Sequence, residues 1–359
     1  MNRKIDHTLF ILNSDSKGGM AKYALKLVGE LKRAGVDVEI MFLNDLIDLH
    51  NARRAFVQRC STFLKNQIVI YKTLKKMELT NVVAFQSGVV RLALIPAKIL
   101  RLRIMVSERS GPSIYRLTRA RQSRFLTWIL YALCDRITIQ FPSYAQGYPS
   151  FLRDKIRAIP NFVEQHSHVA AARLRLDFTF VFLGRFSFEK NLDIIIDAFI
   201  LIADRNPEVR LRLIGEGPLA GEIQKRIQSQ ELSNRISIEP YMDDTCDVFL
   251  NAEALICVSK WEGFPNAVAE ALAHDMPILG WSNCEGVRDL VKSDVNGYLI
   301  QGKLNASLLA EGMKDVMHWR LTTFKPGCCR DSILKYSIPQ VISEWISALR
   351  ELEGKSVAN

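Results

Sequence analysis

The chain has 359 residues, enough for two domains, and 48% of them are hydrophobic, so each domain could bury a full core. No apolar run reaches the length of a membrane span. Seven scattered cysteines without a C-x-x-C pair exclude a disulfide framework and zinc-finger spacing, which points to a reducing cytoplasm. The net charge of +10 is lopsided: residues 1–165 hold 27 Lys or Arg against 12 Asp or Glu, and residues 166–359 hold 21 against 26. A basic first half suits an anionic membrane surface, an anionic substrate or nucleic acid, and ordinary solubilising charge is the plainer explanation. Met1 to Asp6 is polar and only a short apolar stretch follows, so no signal peptide is expected.

Thr8 to Asn13 reads as a buried strand ending in the small polar loop Ser14-Asp15-Ser16-Lys17-Gly18-Gly19. A helix is predicted from about Met20 to Ala34, with Ala24, Leu27, Val28 and Leu31 at helical spacing; Gly35 ends it and Val36 to Leu43 gives a second strand. This strand–loop–helix–strand unit opens a Rossmann-like half, although no G-x-G-x-x-G fingerprint is present and Gly18-Gly19 alone equally suits a tight turn. Residues 44–80 read as mostly helical and basic. Asn81 to Gln86 is a strand, Arg91 to Arg103 an apolar helix carrying cations, and Ile104 to Ser107 a strand ending in Glu108-Arg109. From Arg116 to Cys134, arginines interleave with Phe125, Leu126, Trp128, Ile129 and Leu130. That pattern marks either an interfacial membrane helix or an amphipathic helix whose apolar side is core. Strands follow at Arg136 to Gln140 and Ile156 to Ile159, and a linker at Val163 to Arg173.

The second half alternates strand and helix throughout, which means another doubly wound parallel sheet. Strands are expected at Phe178 to Leu183, Val209 to Ile214, Ile236 to Glu239, Ala254 to Val258, Pro277 to Gly280 and Gly297 to Ile300. Helices are expected from Leu192 to Asp204 and Leu219 to Gln230, as a short helix beginning at Asp243-Asp244, and after Pro265 and Gly286. The last runs from Pro339 to Leu352.

The candidate chemistry gathers in strand-to-helix loops of that half. In Trp261-Glu262-Gly263-Phe264-Pro265-Asn266-Ala267-Val268-Ala269-Glu270, Pro265 suits the first position of a helix, so Glu262 lies just before that helix and Glu270 within it. A helix start binds anions through its free N–H groups. Two carboxylates beside it suit a ligand carrying both phosphate and hydroxyls, such as a nucleotide sugar. Arg185 and Lys190 share one loop and suit a diphosphate, where two cations can take the place of a metal ion; the plainer alternative is a surface bridge to Glu189 or Glu216. Gly215-Glu216-Gly217-Pro218 either approaches the nucleotide closely or merely turns. Asp243-Asp244 lacks D-x-D spacing and reads as a helix cap, and the six histidines show no ligand spacing beyond His166-x-His168, so no metal is expected.

Arg185 with Lys190, the Gly215-Glu216-Gly217-Pro218 loop and the E-G-F-P-N-A-V-A-E stretch resemble the donor domain of retaining GT-B glycosyltransferases, glycosyltransferase family 4. The likeness is specific over residues 178–300 and looser over the first half, where Gly18-Gly19 and Ile159-Pro160-Asn161-Phe162-Val163 are similar. It implies an α/β protein of two Rossmann-like doubly wound domains facing across a cleft. Residues 1–165 would bind the acceptor, residues 166–337 would bind the nucleotide-sugar donor, and the last helix, 338–359, would cross back to the first domain. It implies Glu270 on the ribose, Glu262 near the transferred sugar, and Arg185 and Lys190 on the diphosphate. Backbone around Asn266, Ala267 and Val268 would meet the phosphate, with Phe264 and Gly215 lining the donor and Gly19 closing over it. Glu108 is the acceptor-side candidate, in a Ser107-Glu108-Arg109 stretch where many relatives have a histidine. Asp275 stands where a glycine usually ends the helix, and Glu239-Pro240-Tyr241 replaces a usual glycine. The activity implied is metal-free transfer of a hexose-type sugar, from a UDP-sugar before a GDP-sugar, to a glycan or lipid-linked acceptor in the cytoplasm, with an anionic membrane surface as a partner of the basic half. A sugar-nucleotide epimerase or phosphorylase of the same architecture, or a non-catalytic nucleic-acid-binding protein, are the alternatives; no recognition motif supports nucleic acid.

Overall fold

A computed structural model of the chain describes residues 5–13, 19–47, 56–118, 123–165, 177–228, 234–242 and 245–354. Gly18, Asp243-Asp244 and the His166-x-His168 pair lie outside them. The chain divides into two compact units, Met1–Asn161 with Ile338–Asn359, and Phe162–Ser337.

The first unit runs β1 (Thr8–Leu12), α1 (Gly19–Arg33), β2 (Val38–Phe42), α2 (Phe56–Lys76), β3 (Asn81–Phe85), α3 (Gln86–Ile99), β4 (Arg103–Ser107), α4 (Ile114–Leu117), α5 (Arg124–Leu133), β5 (Arg136–Ile139), α6 (Ser150–Arg153) and β6 (Ile156–Ala158). Its six strands are parallel in the order β2-β1-β3-β4-β5-β6. Every residue of β1 and β3 is buried, the uniform apolar run expected of a central strand covered on both faces. Two differences from the sequence reading are local. Helix α3 starts at Gln86, directly on the end of β3, because Gln86 adopts φ +69 and turns the chain without a loop. The stretch expected as one helix from Arg116 is two, α4 and α5.

The second unit runs β7 (Phe178–Leu183), α7 (Leu192–Ala203), β8 (Val209–Ile214), α8 (Ala220–Gln228), β9 (Ile236–Glu239), α9 (Cys246–Leu250), β10 (Ala254–Cys257), α10 (Asn266–Ala273), β11 (Ile278–Trp281), α11 (Glu285–Leu290), β12 (Gly297–Ile300), α12 (Ala306–Thr322) and α13 (Cys328–Ile333). All six strands are parallel, in the order β12-β11-β10-β7-β8-β9. The core lies around β7, whose Phe178, Phe180 and Phe182 are buried with Ile195, Phe199 and Ile202 of α7. Helices α12 and α13 fall outside the sequence expectation. Leu309, Met313 and Val316 of α12 recur at helical spacing and join that core.

The last helix, α14 (Ile338–Leu352), returns to the first unit. Its buried stripe includes Val341, Ile342, Trp345 and Leu349, and Trp345 lies 5.8 Å from the Phe10 ring. Full burial of such side chains contributes about 1.5–3 kcal/mol each. Arg157 bonds both Glu344 and Glu351 at 2.5 Å, and Glu353 accepts from the Asp6 N–H at 2.6 Å and from Asn81 Nδ2 at 3.2 Å. Among the described residues no helix is long and apolar enough to cross a membrane.

Candidate functional site

In the second sheet, strands β8 and β9 lie on one side of β7 while β10, β11 and β12 lie on the other. The order therefore reverses between β7 and β10. The carboxyl ends of two such strands flank a crevice, the usual ligand site of an open parallel sheet. The loops leaving β7 and β10 are residues 184–191 and 258–265, the two segments that carry Arg185, Lys190 and Glu262.

These loops are tied together across the reversal. Lys190 Nζ lies 2.5 Å from Glu262 Oε1, and Ser259 Oγ donates to the same oxygen at 2.8 Å. The Lys260 N–H donates to the Glu189 carbonyl at 2.7 Å, and Asn191 Nδ2 donates to the Val258 carbonyl at 2.7 Å. Asn191 sits at φ +54 between the loop and α7, a left-handed turn that asparagine tolerates. Burial alone would lower the Lys190 pKa; the Glu262 carboxylate outweighs it and holds the ammonium above the ordinary lysine range. The bridge to Glu189 or Glu216 is not formed: Glu189 accepts from Ser187 Oγ at 2.5 Å, and Lys190 takes Glu262 instead. Arg185 is exposed and has no ion-pair partner among the described residues.

The loop after β8 packs under the loop after β7. The Phe186 N–H donates to the Glu216 carbonyl at 2.8 Å, and the Leu219 N–H to the Phe186 carbonyl at 3.1 Å. A Cβ on Gly215 would stand 1.9 Å from the Gly184 carbonyl oxygen, and one on Gly217 would stand 2.4 Å from that of Phe186. Only glycine fits this crossing, so the motif has a backbone-packing reason of its own.

Helix α10 begins at Asn266 with no side-chain cap. Pro265 takes ψ 87, so it is the residue before the helix and not its first turn, a shift of one position from the sequence reading. The N–H groups of Asn266, Ala267 and Val268 therefore form the start of an uncapped helix at the sheet's carboxyl edge. Glu270 lies in its second turn, half-buried, and Phe264 is buried with its ring edge-on to Tyr336 at 5.7 Å.

Two groups at this edge were absent from the sequence reading. Cys257 and Cys284 are buried thiols that feel Glu262. Burial first, then that carboxylate, pushes Cys257 up to about 11 and Cys284 well above its ordinary value. Their sequence positions, at the end of β10 and just after β11, were the available signal. Asp275 carries a different surprise. It ends α10 at φ +60, the conformation for which a glycine is usual, and its carboxylate accepts N–H bonds from Gly327 at 2.5 Å, Cys329 at 3.1 Å and Arg330 at 3.4 Å. It therefore caps α13. Cys328 and Cys329 lie close enough to make a three-ligand metal cluster with it, but both Asp275 oxygens are already committed to the backbone. Glu239 is held by Arg212 in a two-pronged pair at 2.8 and 2.6 Å.

In the first unit, Gly19 opens α1 after β1, beside the place where that sheet's order also reverses. Glu108 does not present itself as a base. It is buried, and its carboxylate accepts from the Ser110 N–H at 3.0 Å, Tyr115 OH at 2.8 Å and Tyr131 OH at 2.6 Å. Burial and this carboxylate push both tyrosine hydroxyls upward. Arg109 is also buried. Its guanidinium bonds the Ile159 carbonyl at 3.1 Å, Gln140 Oε1 at 2.9 Å and Asn161 Oδ1, and lies over the Tyr23 ring. The expectation that Glu108 serves as an accessible acceptor-side group is corrected: its carboxylate is taken up by Ser110, Tyr115 and Tyr131, and Arg109 ties the loop after β4 to the segment after β6.

Residues 171–322 match the family model for glycosyl transferases group 1. The chain is 29% identical over 178 residues to the poly(glycerol-phosphate) alpha-glucosyltransferase of Bacillus subtilis (strain 168), a match covering 48% of this chain and 26% of that protein's length. The fold is shared with a lipopolysaccharide outer core galactosyltransferase, WaaB, in its apo form, at a TM-score of 0.76 and 16% identity over 96% of this chain and 99% of that one. It is shared as well with Anabaena Alr3699/HepE in complex with UDP and glucose, at a TM-score of 0.74 and 15% identity over 96% and 99%. The match over residues 171–322 lies within the second unit's parallel sheet and its helices, so that unit is similar to glycosyl transferases group 1, and the two Rossmann-like parallel sheets share the fold of the solved glycosyltransferases.

Proposed function

We propose that the chain is a retaining, metal-independent glycosyltransferase. It would move a hexose-type sugar from a nucleoside-diphosphate sugar, UDP-sugar before GDP-sugar, to a glycan or lipid-linked acceptor in cell-surface polysaccharide or lipopolysaccharide-type synthesis. One observation carries the reading: the Lys190–Glu262 pair spans the strand-order reversal beside the uncapped start of α10, with exposed Arg185 on the same loop. Relatives named for transfer to poly(glycerol-phosphate) and to lipopolysaccharide outer core, and a structural neighbour holding UDP and glucose, support it.

In this reading a bond forms between an acceptor oxygen and the sugar's anomeric carbon, and the bond from that carbon to the diphosphate breaks. The electron pair leaves with the diphosphate, and the departing diphosphate oxygen takes the proton released by the acceptor hydroxyl. Arg185 grips two phosphate oxygens and Lys190 meets the growing charge as a point cation. The N–H groups of Asn266, Ala267 and Val268 face the phosphates. The diphosphate draws Lys190 away from Glu262, and Glu262 is then released to accept hydrogen bonds from the sugar. Glu270 accepts from the ribose hydroxyls.

The test is a panel of UDP- and GDP-sugars with acceptor glycans in the presence of EDTA, with the product read by NMR. The expected result is consumption of a UDP-sugar without added metal and a product that keeps the donor's anomeric configuration. Strict dependence on a divalent cation, or an inverted product, overturns those parts of the proposal. Conversion of the donor without acceptor favours an epimerase.

A further inference from the structure

Two cysteines adjacent in sequence bring their thiols together at the start of α13. The Sγ atoms of Cys328 and Cys329 and one carboxylate oxygen of Asp275 all lie within 4.8 Å of one another. Cys329 is buried and Cys328 is half-buried, so one sulfur is anchored in the unit and the other is open to solvent. Cys329 Sγ donates to the Asn296 carbonyl at 3.7 Å, and that oxygen also accepts the Ile278 N–H at 3.2 Å. The thiol proton can therefore leave without orphaning a buried carbonyl. The backbone around the pair is fixed, because Asp275 holds the N–H groups of Gly327, Cys329 and Arg330.

Geometry separates two uses of such a pair. A disulfide needs Cα atoms roughly 4.4–6.8 Å apart, whereas consecutive Cα atoms stand about 3.8 Å apart across a trans peptide. Closing that ring would distort the turn that Asp275 holds. A bridging ion asks for less. With a thiolate–metal bond of about 2.3 Å, two sulfurs stand about 3.8 Å apart at a tetrahedral angle and about 4.6 Å apart when they face each other across the ion. Both separations fit within the observed spacing. The donors then select the ion. A structural Zn(II) site takes four ligands, and Asp275 is occupied by backbone N–H groups, which leaves two sulfurs. Hard cations prefer oxygen. Two thiolates suit soft Cu(I), which is stable with two sulfur ligands. That complex keeps one negative charge, and a cation stands by. Burial lowers the Arg320 pKa while the charges of Cys329 and Asp275 oppose that lowering, and its Nε is buried without a hydrogen-bond partner among the described residues.

We infer that Cys328 and Cys329 form a two-sulfur binding site for a soft monovalent cation, Cu(I), with Arg320 as its counter-charge. Each thiol gives its proton to water as its sulfur binds the ion, and no electron is transferred. The ion enters past half-buried Cys328. Asp275 follows the last turn of α10, so the site lies at the opposite end of that helix from the Asn266 N–H group. It takes no part in sugar transfer and does not depend on the donor assignment.

The experiment competes the reduced full chain against bathocuproine disulfonate for Cu(I) under argon, read by the absorbance of the chelator–copper complex. The wild type is compared with Cys328→Ser, Arg320→Gln and, as a control, Cys246→Ser at a half-buried cysteine of α9. Thermal unfolding without copper verifies that each variant is folded. The wild type and Cys246→Ser should each withdraw about one equivalent of copper. Cys328→Ser should bind about 100-fold more weakly and Arg320→Gln about tenfold more weakly. Adjacent thiols stay adjacent in an unfolded chain, so the wild type is also titrated in denaturing urea, where binding should fall. A further measurement needs no variant: Cu(I) should shield Cys328 of the wild type from iodoacetamide, as read by peptide mass spectrometry. Undiminished binding by Cys328→Ser, equal binding in urea or an unshielded Cys328 overturns the inference. Equal binding by Arg320→Gln overturns the counter-charge, and tighter retention of Zn(II) in a parallel titration overturns the choice of ion.

Discussion

Lys190 Nζ and Glu262 Oε1 lie 2.5 Å apart, and this one contact joins the loops that follow the two strands flanking the reversal in the second sheet. Each partner is only slightly exposed, so each charge depends on the other for its solvation. Lys190→Ala is expected to lower kcat by about 10²–10³ and to cost about 1–3 kcal/mol of stability, discounted for the water that still reaches the pair. Urea denaturation and steady-state kinetics separate the two effects. A variant with full kcat and lost stability would reduce the pair to a loop staple.

Glu270 occupies the second turn of α10, one helix face from the uncapped N-terminus. If its carboxylate holds two ribose hydroxyls, Glu270→Ala weakens binding of UDP by about 1.5–3 kcal/mol, measured by titration calorimetry. Equal affinity in the variant removes Glu270 from the nucleotide site.

Asp275 does two jobs, closing α10 at φ +60 and capping α13 with three backbone N–H bonds. Asp275→Ala loses the cap and keeps the strained backbone, so it should cost about 1–3 kcal/mol. Asp275→Gly relaxes the backbone while losing the same cap and should cost less than the alanine variant. The order Asp, Gly, Ala in thermal stability is the outcome to look for; Ala above Gly would mean that the conformation carries no strain.

Hydrogen bonding from Arg212 holds the Glu239 carboxyl below its ordinary value in the folded state. A depressed folded pKa adds stability above the unfolded pKa, and that stability is lost as pH falls through the folded one. The stability gap between wild type and Glu239→Gln should be constant at neutral pH and close as pH drops below about 4.3. A gap that instead widens in acid contradicts the sign.

The hydrogen bond with Cys329 brings the Cys328 thiol down to about 7, whereas burial pushes Cys134 and Cys257 up to about 12 and about 11. Iodoacetamide at neutral pH should therefore label Cys328 well before Cys134 or Cys257, as read by peptide mass spectrometry. Labelling in any other order speaks against the Cys328–Cys329 contact.

The strands of the second unit were legible because each is a short apolar or alternating run bounded by turn residues. Phe178 to Leu183, Val209 to Ile214, Ile236 to Glu239 and Gly297 to Ile300 match the observed bounds residue for residue. Local chemistry also placed Arg185, Lys190 and Glu262 on loops at one sheet edge. The partner of Lys190 was not legible, since Glu189 stands next to it in sequence and Glu262 stands 72 residues away. The same limit hid Glu108. Its burial is decided by Tyr115 and Tyr131, which a helical pattern assigns to a face but not to a carboxylate. The apolar residues Phe125, Leu126 and Ile129 of α5 were visible as a pattern, yet apolar spacing alone does not say that theirs is the side of the helix that meets water.

The glycine crossing between the loops after β7 and β8 has a practical consequence for redesign. With the Gly184 carbonyl 1.9 Å from any added Cβ at Gly215, that floor admits no side-chain diversity. A library built on the proposed donor reading would waste its members at 215 and 217, where every side chain meets the backbone of the neighbouring loop.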